Sequence, residues 1–168
     1  SAPSGLADFA AEHVGGRRDI SDGDLVTATN LLNMRKEMGK YGLNPSDVTY
    51  IVSSASYYDL LSDSAFQTLD EVGSDLAVRV TGTIGAVFGS PVVVSEEFPA
   101  DNTAGNMAAL AVYNRNYVIP RLRGVTVEQD YEVMNQRRVI VATQSLGFEE
   151  IVAGAGSDQP SVKITFVA

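Results

Sequence analysis

Hydrophobic positions along this chain follow two periods. From about Asp22 to Lys40 they recur at helical spacing, at Leu25, Ala28, Leu31, Leu32, Met34 and Met38, with Tyr41 just beyond. That spacing predicts one amphipathic helix. Ser21 and Asp24 have the form of a capping box at its start, and Gly42 and Pro45 supply its stop. Lys36 and Lys40 lie toward its C-terminal end, where cations favour the helix dipole. Before it, Leu6, Phe9 and Ala10 give Ser4–His13 one apolar face and predict a short helix, broken by Gly15-Gly16-Arg17-Arg18. After it the period shortens. Val48, Tyr50 and Val52 alternate within Asp47–Ser53, and Ser54 or Ser56 then caps a helix Tyr57–Leu61. Thr83–Phe88 and Val92–Glu96 predict a strand pair around a Gly89-Ser90-Pro91 turn, where Pro91 fixes φ. Ser64–Gly82 carries Asp70, Glu71 and Asp75 and reads as an exposed surface segment, while Ser161–Val167 alternates as a last strand.

The organising stretch is Asn106–Ala153. Met107–Tyr113 is short and apolar, as a buried strand would be. Tyr117–Gln129 alternates, with Val118, Pro120, Leu122, Gly124 and Thr126 on one side and Ile119, Arg121, Arg123, Val125 and Val127 on the other. Arg138–Val152 is a second long run rich in β-branched residues, and Tyr131–Gln136 is polar enough to be the turn between them. Long strands with large side chains on both faces are expected to pack one face inside and present the other to a neighbouring chain.

Length and composition fit one globular domain: 168 residues, 45% hydrophobic and 20% charged. Without cysteine, a disulfide framework and a thiolate metal site are excluded, and no apolar run has the length of a membrane helix. The first residues lack the apolar region of a signal peptide and read as a processed or truncated start. A net charge of −9 argues against general nucleic-acid binding. Its distribution is uneven: Asn44–Ala111 holds nine acids and one base, whereas Val112–Ile140 holds five arginines and three acids. Such a chain can meet copies of itself acidic face to basic face; solvated surface charge is the plain alternative.

An apolar strand ending in a polar knuckle (Ala111-Val112-Tyr113-Asn114-Arg115-Asn116-Tyr117), an arginine-bearing strand, an acid-rich turn and a long final strand with a basic start follow in order. With the strand–helix Val48–Asp63 and the Gly89–Val93 core of Thr83–Pro99, this order resembles the tailed-bacteriophage major capsid proteins of the Hong Kong 97 fold. The resemblance implies an α+β fold: a central mixed β-sheet flanked by helices, with long C-terminal strands. It divides the chain into an N-terminal segment 1–21, an axial-like domain 22–116 with 153–168, and peripheral-like strands 117–152. It implies a structural shell subunit, not an enzyme, assembling as pentamers and hexamers of an icosahedral head in the bacterial cytoplasm. Partners would be copies of itself, with scaffolding, portal and maturation protease proteins, and packaged DNA held without specific binding. The loop Pro99–Gly105 becomes a candidate for the symmetry axis. Asp101, Asn102, Arg121, Arg123, Arg137 and Arg138 become candidate inter-subunit contacts. The N-terminal arm, long hairpin loop and spine helix of the family do not all fit before Leu43, so a fragment is expected. An encapsulin-type shell protein shares the fold and remains an alternative.

Chemistry is sparse. The one histidine, His13, has no serine-base arrangement around it, and Gly82, Gly85 and Gly89 lack phosphate-loop spacing. Asp19, Asp22 and Asp24 lack the order of a calcium loop, so neither cofactor nor metal is expected. A small carboxylate-dependent hydrolase is the rival class; it requires two of Glu37, Glu96, Glu128, Glu149 and Glu150 to converge in a pocket. A monomeric binding module is a third, requiring one well-formed apolar pocket and no large exposed strand surface.

Overall fold

A computed structural model describes residues 5–12, 16–21, 23–63, 85–98 and 103–168. Among the described residues three α-helices, α1 (Leu6–Glu12), α2 (Ala28–Glu37) and α3 (Ser54–Ser62), accompany ten strands. These are β1 (Arg17–Ser21), β2 (Val48–Val52), β3 (Ala86–Val87), β4 (Ser90–Val94), β5 (Met107–Tyr113), β6 (Tyr117–Val118), β7 (Arg121–Glu132), β8 (Arg137–Leu146), β9 (Glu149–Glu150) and β10 (Ser161–Val167). Six of them form one sheet in the order β1-β10-β5-β2-β4-β3. The β1–β10 and β2–β4 pairs are parallel and the others antiparallel, so the sheet is mixed, as the sequence leads one to expect.

Apolar period decides which strands sit at the centre. β5 and β10 are almost wholly buried and lie side by side. One face of the sheet gives Tyr50, Val52, Ala109, Ala111, Ile164 and Phe166 to a core closed by Leu31 and Met34 of α2 and Leu60 of α3. The opposite face gives Leu110 and Val112 to a smaller cluster with Ala10 of α1 and partly buried Ile51, Phe98 and Tyr117.

Several local expectations move. The long helix begins at Ala28 rather than Asp22, with Thr27 as its N-cap. Ser21 is held in the β1 ladder opposite Val167, and Gly23 turns the chain at φ 77°. Asp59 of α3 and Asp63 just past its end complete the helix start: Val26 N–H donates to Asp59 and Ala28 N–H to Asp63, the latter at 2.7 Å. The α3 cap is Ser53, not Ser54 or Ser56; its Oγ accepts from Ser56 N–H at 3.1 Å. Of the expected break at Gly15–Arg18, Gly15 lies outside the described residues, and Arg17 and Arg18 belong to a strand, because Arg17–Ser21 pairs along the edge of β10.

The β3–β4 turn is Phe88-Gly89, one residue earlier than expected, and Pro91 sits inside β4 opposite Ala86. Both turn residues have positive φ (49° and 80°), the twist a two-residue hairpin demands. Phe88 adopts it without being glycine because Arg35 holds its carbonyl at 3.1 Å while also donating to the carbonyls of Gly42 and Leu43. Gly89 packs so close to Pro45 that a Cβ would stand 3.2 Å from that ring.

His13, Asp22, Ser64–Gly82, Thr83, Ile84 and Pro99–Asn102, which include candidates Asp101 and Asn102, lie outside the described residues.

Candidate assembly surface

Leaving β5, the chain passes the knuckle Asn114–Asn116, runs through β6, and breaks at Ile119-Pro120 before β7. The break is chemical: proline has no N–H to give, but its carbonyl accepts from Gly147 N–H at 2.9 Å. β7 then pairs antiparallel with β8 as a separate two-stranded ribbon, closed by the turn Val133–Gln136. No residue of β7 or β8 is buried. The expectation that one face packs inside therefore fails: both faces are open, with Leu122 90% and Met134 95% exposed.

Register assigns the faces, since paired residues share one and neighbours along a strand alternate. Two register shifts in β7, between Arg121 and Arg123 and between Arg123 and Thr126, overturn the simple alternation. Arg121 lies opposite Leu146 and Arg123 opposite Ser145, which puts the two arginines on different faces. One face carries Arg123, Thr126, Glu128, Asp130 and Glu132 beside Thr143, Val141, Val139 and Arg137. Its charges largely satisfy one another. Arg137 bridges Glu132, Arg123 lies 3.7 Å from Glu128, and Arg123 Nε donates to Thr126 Oγ1 at 3.1 Å. The other face carries Val127, Gln129 and Tyr131 beside Ala142, Ile140 and Arg138, with Arg121 and Leu146 at its far end. Arg121 and Arg138 make no ion pair among the described residues. One face thus holds two ion pairs, Arg123–Glu128 and Arg137–Glu132, with Asp130 as a further acid. The other is an apolar stripe with an uncompensated cation at each end.

The ribbon joins the sheet through a compact neck. Asn116, nearly fully buried, donates Nδ2–H to Val152 O at 2.9 Å and accepts from Val152 N–H at 3.1 Å. Tyr117 stacks on Phe148, and Phe9 of α1 packs against both rings. Burial pushes the Tyr117 phenol above its ordinary value, and the charge of Glu150 adds to the rise. The sequence places Phe9 on the apolar face of a helix and Asn116 in the polar knuckle, but it does not show their partners, which lie far along the chain.

The carboxylates of the rival hydrolase are dispersed. Glu37 pairs with Arg18 at 2.8 Å, Glu96 lies in the turn after β4, Glu128 is on the ribbon, and Glu149 and Glu150 are on the neck. Among the described residues no three acidic or histidine side chains group as a metal site. A shallow surface hollow lined by Leu32, Arg35, Lys36, Leu43 and Phe88 has no carboxylate in it.

No family model matches the chain. The major capsid protein of Escherichia phage T5 is 40% identical over 129 residues, 77% of this chain and 28% of that protein. Among solved structures, the capsid of cyanophage P-SCSP1u superposes with a TM-score of 0.66 at 17% identity, over 95% of this chain and 58% of that one. The capsid of an empty GTA particle gives 0.63 at 18% identity, over 91% and 50%. The Mycobacterium phage Che8 structure gives 0.60 at 18% identity, over 98% and 50%. The chain thus spans just over half the length of the solved subunits, and its matched part just over a quarter of the curated relative. In fold and in sequence the chain belongs with the phage major capsid proteins of the Hong Kong 97 fold.

Proposed function

We propose that this chain is a shell-building part of a tailed-phage major capsid protein, structural rather than catalytic, whose copies join in an icosahedral head around double-stranded DNA. The observation that carries the reading is the ribbon: two long paired strands with no buried residue and a wide apolar face. An exposed apolar strand surface marks a site of interaction. Similarity to the T5 major capsid protein supports copies of the same subunit as the cover.

In this reading 22–116 with 153–168, together with β1, is the axial-like unit, and 117–152 is peripheral-like. Of the arginines, Arg121 and Arg138 make the contact with other copies, because neither has an ion-pair partner among the described residues. Arg123 and Arg137 are chiefly intramolecular, being spent on Glu128 and Glu132. Asp101 and Asn102, in the loop proposed for the symmetry axis, complete the contact set. Scaffolding, portal and maturation protease proteins are further partners, and the finished location is the virion. A net charge of −9 suits a wall to which packed DNA should not adhere.

The test is negative-stain electron microscopy of the parent reading frame, alone and with its neighbouring genes, beside an Arg138→Glu/Ile140→Asp variant. Closed shells or hexamer sheets lost in the variant are expected. Small particles only, from folded protein with its scaffolding candidates present, would overturn the reading.

A further inference from the structure

We propose that the neck is a clasp that sets the angle of the ribbon against the sheet, and that Phe9 makes the N-terminal helix part of its lock. Since no residue of β7 or β8 is buried, the pose of the ribbon rests on the neck.

Three contacts close it. First, Asn116 clasps the returning strand through its side chain and backbone together. The amide donates to Val152 O and accepts from Val152 N–H, while the Asn116 carbonyl accepts from Ile151 N–H at 2.8 Å. A primary amide both donates and accepts in one plane, so this side chain imitates a peptide group and extends the ladder where the strands diverge. Aspartate cannot donate and alanine can do neither. Second, β6 pairs with β9, and the Tyr117 and Phe148 rings stack across that join, 5.6 Å apart and 8° from parallel. Third, Phe9 meets both rings, at 6.1 Å and 5.9 Å.

The third contact links two parts of the molecule that share no strand pairing. A seven-residue helix is too short to persist by itself in water, so α1 is held by what it buries, namely Phe9 and Ala10. Phe9 spends its burial on the rings of the neck. Anything that lifts α1 from the sheet removes one wall of the ring stack and frees the ribbon to swing. By reciprocity, a neighbour that fixes the ribbon angle favours the docked helix. The neck, Phe9 included, is therefore a positioning device for the assembly surface, and the inference stands whether or not that surface meets another copy.

Spin-label distances test it directly. The sequence has no cysteine, so Thr29→Cys on α2 with Gln129→Cys on the ribbon gives one labelled pair on exposed positions. The otherwise unsubstituted chain is expected to give a single narrow distance. Asn116→Ala and Phe9→Ala are each expected to broaden it into several, while thermal melts show the sheet still folded. If Asn116→Ala fails to fold, Phe9→Ala decides alone. A distribution already broad without substitution, or one that stays narrow in folded Phe9→Ala, would overturn the clasp. Because the readout needs only the free subunit, its failure is separate from failure to form shells.

Discussion

β10 and β8 are both runs of β-branched and apolar residues, and their environments could hardly differ more. Ser161–Val167 is buried between β1 and β5, with α2 against one face of the sheet and α1 against the other. Arg137–Leu146 has one neighbour, β7, and no helix in the described chain covers either face. Strand propensity is therefore not what separates them. Connection is. The sheet is interleaved with α1, α2 and α3, whose apolar faces have nowhere else to go. The ribbon is a hairpin between two breaks, Ile119-Pro120 and Gly147-Phe148, with only a tight turn inside it. What a strand buries depends on what its flanking sequence brings to it.

Substitutions should divide along the same line. Phe166→Ala removes a fully buried ring from the core and is expected to cost about 3–5 kcal/mol in urea unfolding. A loss below about 1 kcal/mol would mean that the sheet core is looser than its burial implies. Ser53→Ala removes the α3 cap and the hydroxyl that donates to buried Ser56 Oγ at 2.8 Å; about 1 kcal/mol should be lost.

Alkaline pH probes the core and the neck together. Burial raises the phenols of Tyr50 and Tyr117 above 10.0. Below that value both states keep the proton and stability is flat in pH. Above it the unfolded phenols ionise first and the folded state holds more protons. Stability should therefore fall as pH climbs from about 10 toward the folded pKa values. Tyr50→Phe and Tyr117→Phe should each flatten the slope in urea titrations across that range.

The smallest effect on folding belongs to the ribbon. Ile140→Ala should change the stability of the isolated chain by no more than about 0.5 kcal/mol, since it empties no core. Sedimentation of the parent protein should nevertheless show weakened association. A large folding cost there would erase the contrast between ribbon and sheet.

Much of the sheet was legible because each central strand carries its own signal. The alternation of Val48, Tyr50 and Val52 and the apolar run Met107–Tyr113 need no distant information to be read as buried strands. Helix starts were less legible, because caps are cheap and often duplicated. Ser21, Ser54 and Ser56 are all plausible, and Thr27 and Ser53 won once Ser21 was committed to a strand. For the assembly surface, the sequence named the ribbon and its four arginines but could not sort them. The offset that parts Arg121 from Arg123 lies in the pairing with β8, which no local period reports.

By itself the sequence determined a chain of helices and strands without cysteine, with an acid-rich stretch before an arginine-rich one. Those properties follow from composition and short-range spacing. Only the tertiary structure decided that Arg17–Ser21 would edge the sheet, that neither ribbon face would be buried, and that Phe9 would meet Tyr117 and Phe148. Each joins residues far apart in the chain. Such contacts form when a buried surface finds its complement, a property of two segments that neither carries alone.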